Sequence, residues 1–455
     1  MAVSWPFGRK IGIGENFRSR LGSDSSQGPG VRNIARTLSG GTLSDHSDVV
    51  VIGGGILGCT MALHLIEAGA GSVRLLDRDG LFQGTSAAGA GFLASWTPFA
   101  AEQAVTEYGL DYYTRLQAEG HDIDLRRNGI LSLDVRGSAS QEISGGAREY
   151  GEQATAVAAA EVEALTHGLV TGGGIPGGRF EPGGAQIFAP KVGAALAERL
   201  HRHPGVVDSR RPVTALRTRG GRIVGVDTAT GTIDCAAVVV AAGAWSNELL
   251  APLGVFLPSA PQITSRIITE NLDLPSTLPA LFLSGLIPED PDGGTLLWVR
   301  WHDGGLLWGG TYDTYPRNML LDAPMPERLD EIPDDGVREL LRVAARAATV
   351  MPVLARQSSI TVEHGAPCYT PDWRALVGPV AAVEGLFALT GDNEAGFTHG
   401  PGYAKVLTDL LLHGASDLTP ADEWSPNRFG DRYTTETAVI EAFLDYQKSF
   451  FAGSS

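Results

Sequence analysis

The sequence predicts an α/β fold whose parallel-sheet half is interleaved with a second, α+β half built on antiparallel strands. Two observations carry this. Apolar strands run into glycine-rich turns and then helices at three separated places, and the gaps between them hold segments that alternate apolar with polar or aromatic residues. At 455 residues, 43% hydrophobic and 19% charged, the chain is long enough for two domains with real cores.

Residues 48–58 form an apolar strand that runs into Gly53-x-Gly55-x-x-Gly58, and a second strand over 73–77 ends in Asp77. Gly53 permits the tight strand-to-helix turn, Gly55 lets backbone approach a pyrophosphate, and Gly58 lets the helix lie close on the sheet. The free N–H groups at the helix start, with the helix dipole, hold a diphosphate, and Asp77 accepts from ribose hydroxyls. This is a Rossmann-like dinucleotide-binding unit, with Gly53, Gly55, Ile56, Leu57, Gly58, Asp77 and the following Arg78 as its contacts. The bland alternative is a glycine-rich structural turn.

The loop Gly84-Thr85-Ser86 through Gly91 is small and flexible enough to bring backbone to a ligand. A helix is expected over 101–119, a strand over 129–135, a helical stretch over 139–165 and a Gly/Pro-rich connection over 172–184. Next come a helix at 191–200 and a hairpin of 213–218 and 222–227 turning at Gly220-Gly221. The run 233–245 reads as one buried parallel strand whose tip, Ala242, Gly243 and Trp245, faces a ligand. Segments 262–269, 296–301 and 305–310 read as an antiparallel sheet, and 328–349 as a helical hairpin. A last strand, 386–390, leads through Gly391 to a helix from about Gly400 to Leu412.

The expected division is a tail over 1–46, a nucleotide-binding domain of 47–126, 189–253 and 361–415, a substrate domain of 127–188 and 254–360, and an extension over 416–455. A net charge of −17 argues against nucleic acid and anionic membranes as partners, and no apolar run is long enough to span a bilayer. A small-molecule partner is expected. Cys59, Cys235 and Cys368 are odd in number and widely spaced, which gives no disulfide framework, predicts no metal site and suits a reducing cytoplasm. Residues 1–44, rich in Gly, Ser and Arg, read as a loosely attached tail without a secretory signal; an organellar transit peptide shares some of that composition.

The interleaving and four motifs resemble the D-amino-acid oxidase superfamily of FAD enzymes, in the branch of glycine oxidase, sarcosine oxidase and dimethylglycine dehydrogenase. The motifs are Gly53 to Gly58 with Asp77, the Gly84-Thr85-Ser86 loop, Val238 through Gly243 to Trp245, and the C-terminal stretches Tyr369 to Gly378 and Gly385 through Gly396 to Gly402. The likeness covers roughly 47–415. It implies FAD gripped at both ends, with Thr85, Ser86, Ala242, Gly243, Trp245, Gly391, Gly396, Phe397 and Thr398 added to the first turn. It also implies that the helix after the last glycine loop points its positive end at the flavin pyrimidine.

By the same resemblance the reaction is oxidation of a C–N bond: a substrate C–H gives a hydride to flavin N5 and leaves an imine, with oxygen or another acceptor reoxidising the flavin. The inserted sheet would roof the flavin, making Arg266, Trp298, Arg300 and Trp308 lining candidates. Arg300 is the expected carboxylate clamp because guanidinium pairs with carboxylate bidentately, the alternative being a surface ion pair. His399 and Tyr369 either contact substrate or isoalloxazine, or, for His399, cap the helix. His364 is a weaker candidate, His64 reads as packing, and His201 and His203 as a solvated turn. Sarcosine-oxidase relatives carry a flavin-linked cysteine before a similar Tyr-Thr stretch. Cys368 departs from that spacing by one residue, so a small buried thiol and non-covalent FAD are expected over a thioether. Thr398 stands where those relatives have a basic residue, so substrate identity does not transfer. Two other readings share the motifs: a flavin-dependent 2-hydroxy acid oxidase or dehydrogenase, and a non-catalytic flavoprotein subunit.

Overall fold

The computed structural model describes residues 45–135, 154–171, 175, 177–286, 296–310, 320–332, 335–356 and 358–452. At its centre is a six-stranded sheet in the order Leu376–Pro379, Leu386–Thr390, Ala237–Val240, Val49–Ile52, Val73–Asp77, Val207–Ser209. Every neighbour is parallel except the edge strand Leu376–Pro379. Both faces are covered, which is why the central strands are apolar throughout. Val49, Val51 and Val239 enter one core, with the helices Ile56–Glu67, Ala100–Ala118, Ala189–His201 and Gly396–His413. Val50, Ile52, Val238 and Val240 enter another, with Leu216, Val226 and Ile233 of a small four-stranded sheet.

The larger sheet has eight strands, ordered Ile360–Gly365, Thr264–Thr269, Gly305–Gly310, Leu297–His302, Ala280–Ser284, Ile130–Asp134, Gly177–Glu181, Thr155–Ala158. It is antiparallel except where Ala280–Ser284 runs parallel to Ile130–Asp134. One face packs on the helix Asp335–Ala347, with Leu340, Val343, Leu283 and Trp308 in its core. The fold is thus α/β with an antiparallel partner sheet, as the sequence implies.

Several elements differ from their expected form. The run 233–245 is two strands: Gly231–Asp234 joins the four-stranded sheet and Ala237–Val240 the central one. Thr232 and Asp234 alternate with buried Ile233, the pattern of a half-covered strand, whereas 237–240 is apolar on both faces. The expected hairpin at 328–349 is a single helix, Asp335–Ala347, preceded by a 3₁₀ turn, Leu329–Glu331. Within 139–165, the strand Thr155–Ala158 precedes the helix Ala159–Leu165, and residues 139–153 lie outside the described residues. The expected connection over 172–184 contains the strand Gly177–Glu181. Ile360–Gly365 pairs with Thr264–Thr269 at the edge of the larger sheet, although the sequence boundaries put most of it with the nucleotide half. In the C-terminal segment, Val439, Ile440 and Phe443 of the helix Glu436–Ala452 pack on Tyr369.

His64 is buried on the first helix, as expected of a packing residue. Its Nδ1 lies 2.7 Å from the Thr60 carbonyl and its Nε2 2.9 Å from the Tyr108 hydroxyl. A neutral ring satisfies both, donating from Nδ1 and accepting at Nε2. Burial pushes its pKa down to about 4 from 6.5. The native state therefore binds fewer protons than the unfolded chain between those values, so stability falls as pH drops through that window. The expected loss is about 3 kcal/mol from this group. Urea unfolding at stepped pH checks it, with His64→Gln flattening that part of the acid limb.

No helix of the described residues is long and apolar enough to cross a membrane. No group of three or more His, Cys, Asp or Glu among them is arranged to hold a metal ion.

Candidate active site

The first glycine turn sits at the C-terminal ends of Val49–Ile52 and Ala237–Val240. Gly53 has φ +110°, and a Cβ there would lie 2.3 Å from the Ala241 carbonyl oxygen. A Cβ on Gly58 would lie 1.8 Å from the Gly53 carbonyl oxygen, so strand end and helix touch through backbone alone. The helix Ile56–Glu67 carries no acidic residue in its first turn, which leaves its positive end open to an anion. Ser86 Oγ accepts the Ile56 N–H at 2.9 Å and a Cβ on Gly55 would lie 3.0 Å from it, so the Thr85–Ala88 turn closes over the helix start.

Asp77 accepts the Gly54 N–H on Oδ2 at 2.7 Å, and those of Asp79 and Gly80 on Oδ1 at 2.8 and 2.7 Å. The carboxylate shapes its own turn, with acceptor capacity left on Oδ2. Arg78 lies over the Trp245 ring, 4.9 Å from its centroid, and also donates to the Glu327 carbonyl. The Trp245 indole N–H donates to the Pro326 carbonyl at 3.1 Å. Gly243, at φ +53°, turns the chain from Ala242 into Trp245. The fold thus brings 53–58, 77–78, 85–86 and 242–245 to one edge of the central sheet.

Two arginines of the larger sheet fasten the loop after Ser86. Arg266 Nη1 donates to the Gly89 carbonyl at 2.8 Å and Arg300 Nε to the Ala90 carbonyl at 2.6 Å. Arg266 is 2% exposed and forms an ion pair with Glu363. Arg300 is fully buried with no carboxylate partner among the described residues; its Nη1 reaches the Trp301 carbonyl at 3.2 Å and its Nη2 has no partner among them. Burial, then the neighbouring Arg266 charge, pushes Arg300 down to about 9. Trp308 is a core residue, whereas Trp298 stays half-buried, edge-on to Phe92 at 5.5 Å.

The last glycine turn comes up to the first. Gly391 has φ +66°, and a Cβ there would strike Thr370 Cγ2 at 2.6 Å. Asn393 stitches the loop to 368–370: its N–H donates to the Cys368 carbonyl at 3.1 Å and its Oδ1 accepts the Thr370 N–H at 3.0 Å. The helix starts at Gly396, four residues before the expected start, and carries Pro401 inside it. At Gly396 a Cβ would lie 3.3 Å from Ile56 Cγ2, and at Gly400 3.1 Å from Leu57 Cδ2. The two helix starts therefore pack against each other. Phe397 covers Gly89, where a Cβ would lie 2.4 Å from its ring, and Thr398 Oγ1 donates to the Phe92 carbonyl at 3.3 Å.

His399 is buried, with its ring 5.6 Å from that of Tyr403, whose hydroxyl donates to Glu102. Burial pushes its pKa down. Tyr369 is buried against Phe443, ring centroids 4.8 Å apart. Both side chains are enclosed by protein. His364 Nδ1 lies 2.8 Å from Ser265 Oγ, and His201 and His203 are exposed. Cys368 is buried, and burial pushes its thiol well above the usual range.

Sequence reasoning missed Glu394. It sits in the last glycine loop at φ +68°, directly after Asn393 at +50°. Consecutive non-glycine residues in the left-handed region are uncommon and mark sites. The readable signal was an acidic side chain inside a glycine loop.

Two glycine turns from opposite ends of the chain, each opening a helix, suit a dinucleotide held at both ends. A family model described as FAD dependent oxidoreductase matches residues 48–410, and the chain belongs to this DAO family. Among curated relatives, 4-methylaminobutanoate oxidase (formaldehyde-forming) of Paenarthrobacter nicotinovorans is 27% identical over 405 residues, 84% of this chain and 46% of the relative. Human mitochondrial dimethylglycine dehydrogenase is 26% identical over 412 residues, 88% and 46% of the two chains. The chain thus spans about half the length of those two. Glycine oxidase of Pseudomonas aeruginosa is 28% identical over 385 residues, 82% of this chain and 97% of the relative. Among solved structures, glycine oxidase from Geobacillus kaustophilus superposes with a TM-score of 0.69 at 22% identity, covering 85% of this chain and 99% of that one. The family match makes the chain an FAD-dependent oxidoreductase.

Proposed function

We propose that the protein oxidises the C–N bond of an amino acid or a primary or secondary amine to an imine, which water then hydrolyses. The carrying observation is the convergence of the two glycine turns, where Gly396 and Gly400 lie against Ile56 and Leu57. When bound, the flavin supplies the hydride acceptor. In the first turn Gly55, Leu57 and Gly58 would hold the diphosphate through backbone N–H groups, Gly53 and Ile56 would shape the turn, their own N–H groups donating to the Leu76 carbonyl and Ser86 Oγ, and Asp77 would offer its remaining acceptor capacity to ribose. Arg78 and Trp245, stacked on each other, wall that end. Gly391, Gly396, Phe397 and Thr398 bring backbone to the isoalloxazine, and the positive end of Gly396–His413 favours negative charge there.

Arg300 has no accessible surface, so we assign it to fastening the Ala90 carbonyl and the loop that faces the flavin, in place of a direct substrate clamp. His399 and Tyr369, likewise enclosed, position their helix and loop. Cys368 as a buried neutral thiol is a poor nucleophile, which supports non-covalent FAD.

The test is an anaerobic titration of the purified flavoprotein with a panel of amines, amino acids and 2-hydroxy acids, read at the flavin absorbance. Bleaching by an amine or amino acid is expected. Bleaching by hydroxy acids alone would move the assignment to alcohol oxidation.

A further inference from the structure

Residues 320–332 lie across the wall that Arg78 and Trp245 form beside the first glycine turn. Both side chains are tied to neighbouring carbonyls of this one segment: the Trp245 indole N–H donates to Pro326 at 3.1 Å, and Arg78 Nη2 donates to Glu327. The two are also stacked, the guanidinium 4.9 Å from the ring centroid. The segment turns its apolar side inward. Leu320, Leu329 and Ile332 are buried in one small core with Ala366 and Cys368, on which Trp245 also packs, whereas Asp322, Ala323, Pro324, Glu327 and Arg328 face solvent.

The other end of the segment is fastened to the C-terminal helix. Asp322, at φ +54°, accepts the Glu436 N–H on Oδ1 at 2.8 Å and the Thr437 N–H and hydroxyl on Oδ2 at 3.2 and 2.6 Å. In return the Asp322 N–H donates to Glu436 Oε2 at 3.0 Å. This is a capping box closed across 114 positions: Asp322 satisfies free N–H groups at the start of Glu436–Ala452, and Glu436 answers. The same helix packs Val439, Ile440 and Phe443 with Leu321 and Tyr369. From Asp322 to Pro326 the chain reaches at most about 14 Å, so one short stretch joins the C-terminal helix to the nucleotide wall.

Between these ties the segment has little structure of its own. Among the described residues it forms no strand, and its regular part is the 3₁₀ turn Leu329–Glu331. A segment held by side-chain ties and one small core opens before the two large sheets do.

We propose that residues 320–332 are a strap that retains FAD: they hold Arg78 and Trp245 closed on the nucleotide, the C-terminal helix anchors them through Asp322, and the cofactor enters or leaves when the strap lifts. This rests on FAD lying along the first glycine turn and is independent of the substrate. Asp322, Glu436 and Thr437 are positioning residues that act through the strap. By linkage, FAD favours the closed strap by the same factor as the closed strap favours FAD. Cofactor retention is thereby coupled to the docking of the C-terminal helix.

Arg328, whose side chain is 59% exposed, supplies the probe. Trypsin cuts after it when the strap opens, because cleavage follows the population of the locally opened chain. The flavoprotein and the same protein stripped of FAD are digested side by side, and the Arg328–Leu329 cut is followed by mass spectrometry. FAD is expected to slow this cut about tenfold or more. Asp322→Gly removes the anchoring carboxylate and tolerates the left-handed backbone, and Trp245→Phe keeps the ring and removes the donor. Each should speed FAD release, read as flavin fluorescence after dilution, by about tenfold. The two together should give much less than the product, since either change frees the same strap. A merely structural role would lower the urea midpoint of both variants and leave the cut at Arg328 indifferent to FAD. If FAD binds yet the cut runs at one rate with and without it, or both variants release FAD at the wild-type rate, the strap falls and the FAD assignment stands. If the protein takes up no FAD at all, both fall.

Discussion

Gly58→Ala yields a chain without bound flavin and less stable by about 3 kcal/mol. The added Cβ would sit 1.8 Å from the Gly53 carbonyl oxygen, well inside contact distance, and both sides are backbone. No side chain can swing aside, so the helix Ile56–Glu67 must lift from the strand end and carry the Ile56 and Leu57 N–H groups with it. The central sheet feels this because the same helix buries Cys59, Met61, Leu63 and Leu65. Gly69→Ala is the matched control. It also sits at positive φ, +73°, but a Cβ there meets nothing within 4 Å. Its cost is left-handed strain alone, about 1 kcal/mol, with flavin retained. Thermal melts and absorbance at 450 nm on both variants check the pair.

Glu363→Ala removes the one carboxylate paired with Arg266 among the described residues and leaves two neighbouring buried guanidinium groups, Arg266 and Arg300, facing each other's charge. Breaking a buried pair by deleting one partner costs about 3–5 kcal/mol, because the remaining charge stays out of water. Arg266 is 2% exposed and cannot reach solvent without unpacking the larger sheet. The loss should extend to function: Arg266 also holds the Gly89 carbonyl, beside the Phe397 ring. Glu363→Ala is expected to lower both the urea midpoint and flavin retention. Replacing Arg266 and Glu363 together with Met and Leu should restore much of the midpoint. Full stability in Glu363→Ala would show that the pair does not hold this wall.

The legible parts of the fold are those whose physics is local. Gly53, Gly55 and Gly58 declare a strand-to-helix turn because each spacing has one steric reason, and Val49–Ile52 declares a covered parallel strand because it is apolar on both faces. Over 233–245 the length of the apolar run hid the Cys235-Ala236 break, and only the period-2 placement of Thr232 and Asp234 marked it. The helix start at Gly396 was illegible for a different reason. Three glycines and Pro401 argue against a helix by propensity, and what overrides them is close packing: a Cβ at Gly402 would lie 2.7 Å from the Val105 carbonyl oxygen. The arginines misled because burial of a charge depends on distant residues. Arg266 finds Glu363 across 97 positions, and Arg300 finds only carbonyls. Glu394 escaped because its left-handed backbone is not written in the sequence, and an acidic side chain inside a glycine loop was the one trace of it.

We propose that one FAD spans two glycine turns from opposite ends of the chain, held without a covalent bond. This is tested most directly by precipitating the purified flavoprotein with acid and separating pellet from supernatant. The account predicts a colourless pellet and a yellow supernatant containing FAD equimolar with the chain. A yellow pellet would show a covalent flavin and return Cys368 to the reaction chemistry, and a preparation with no flavin absorbance even after incubation with FAD would contradict the account.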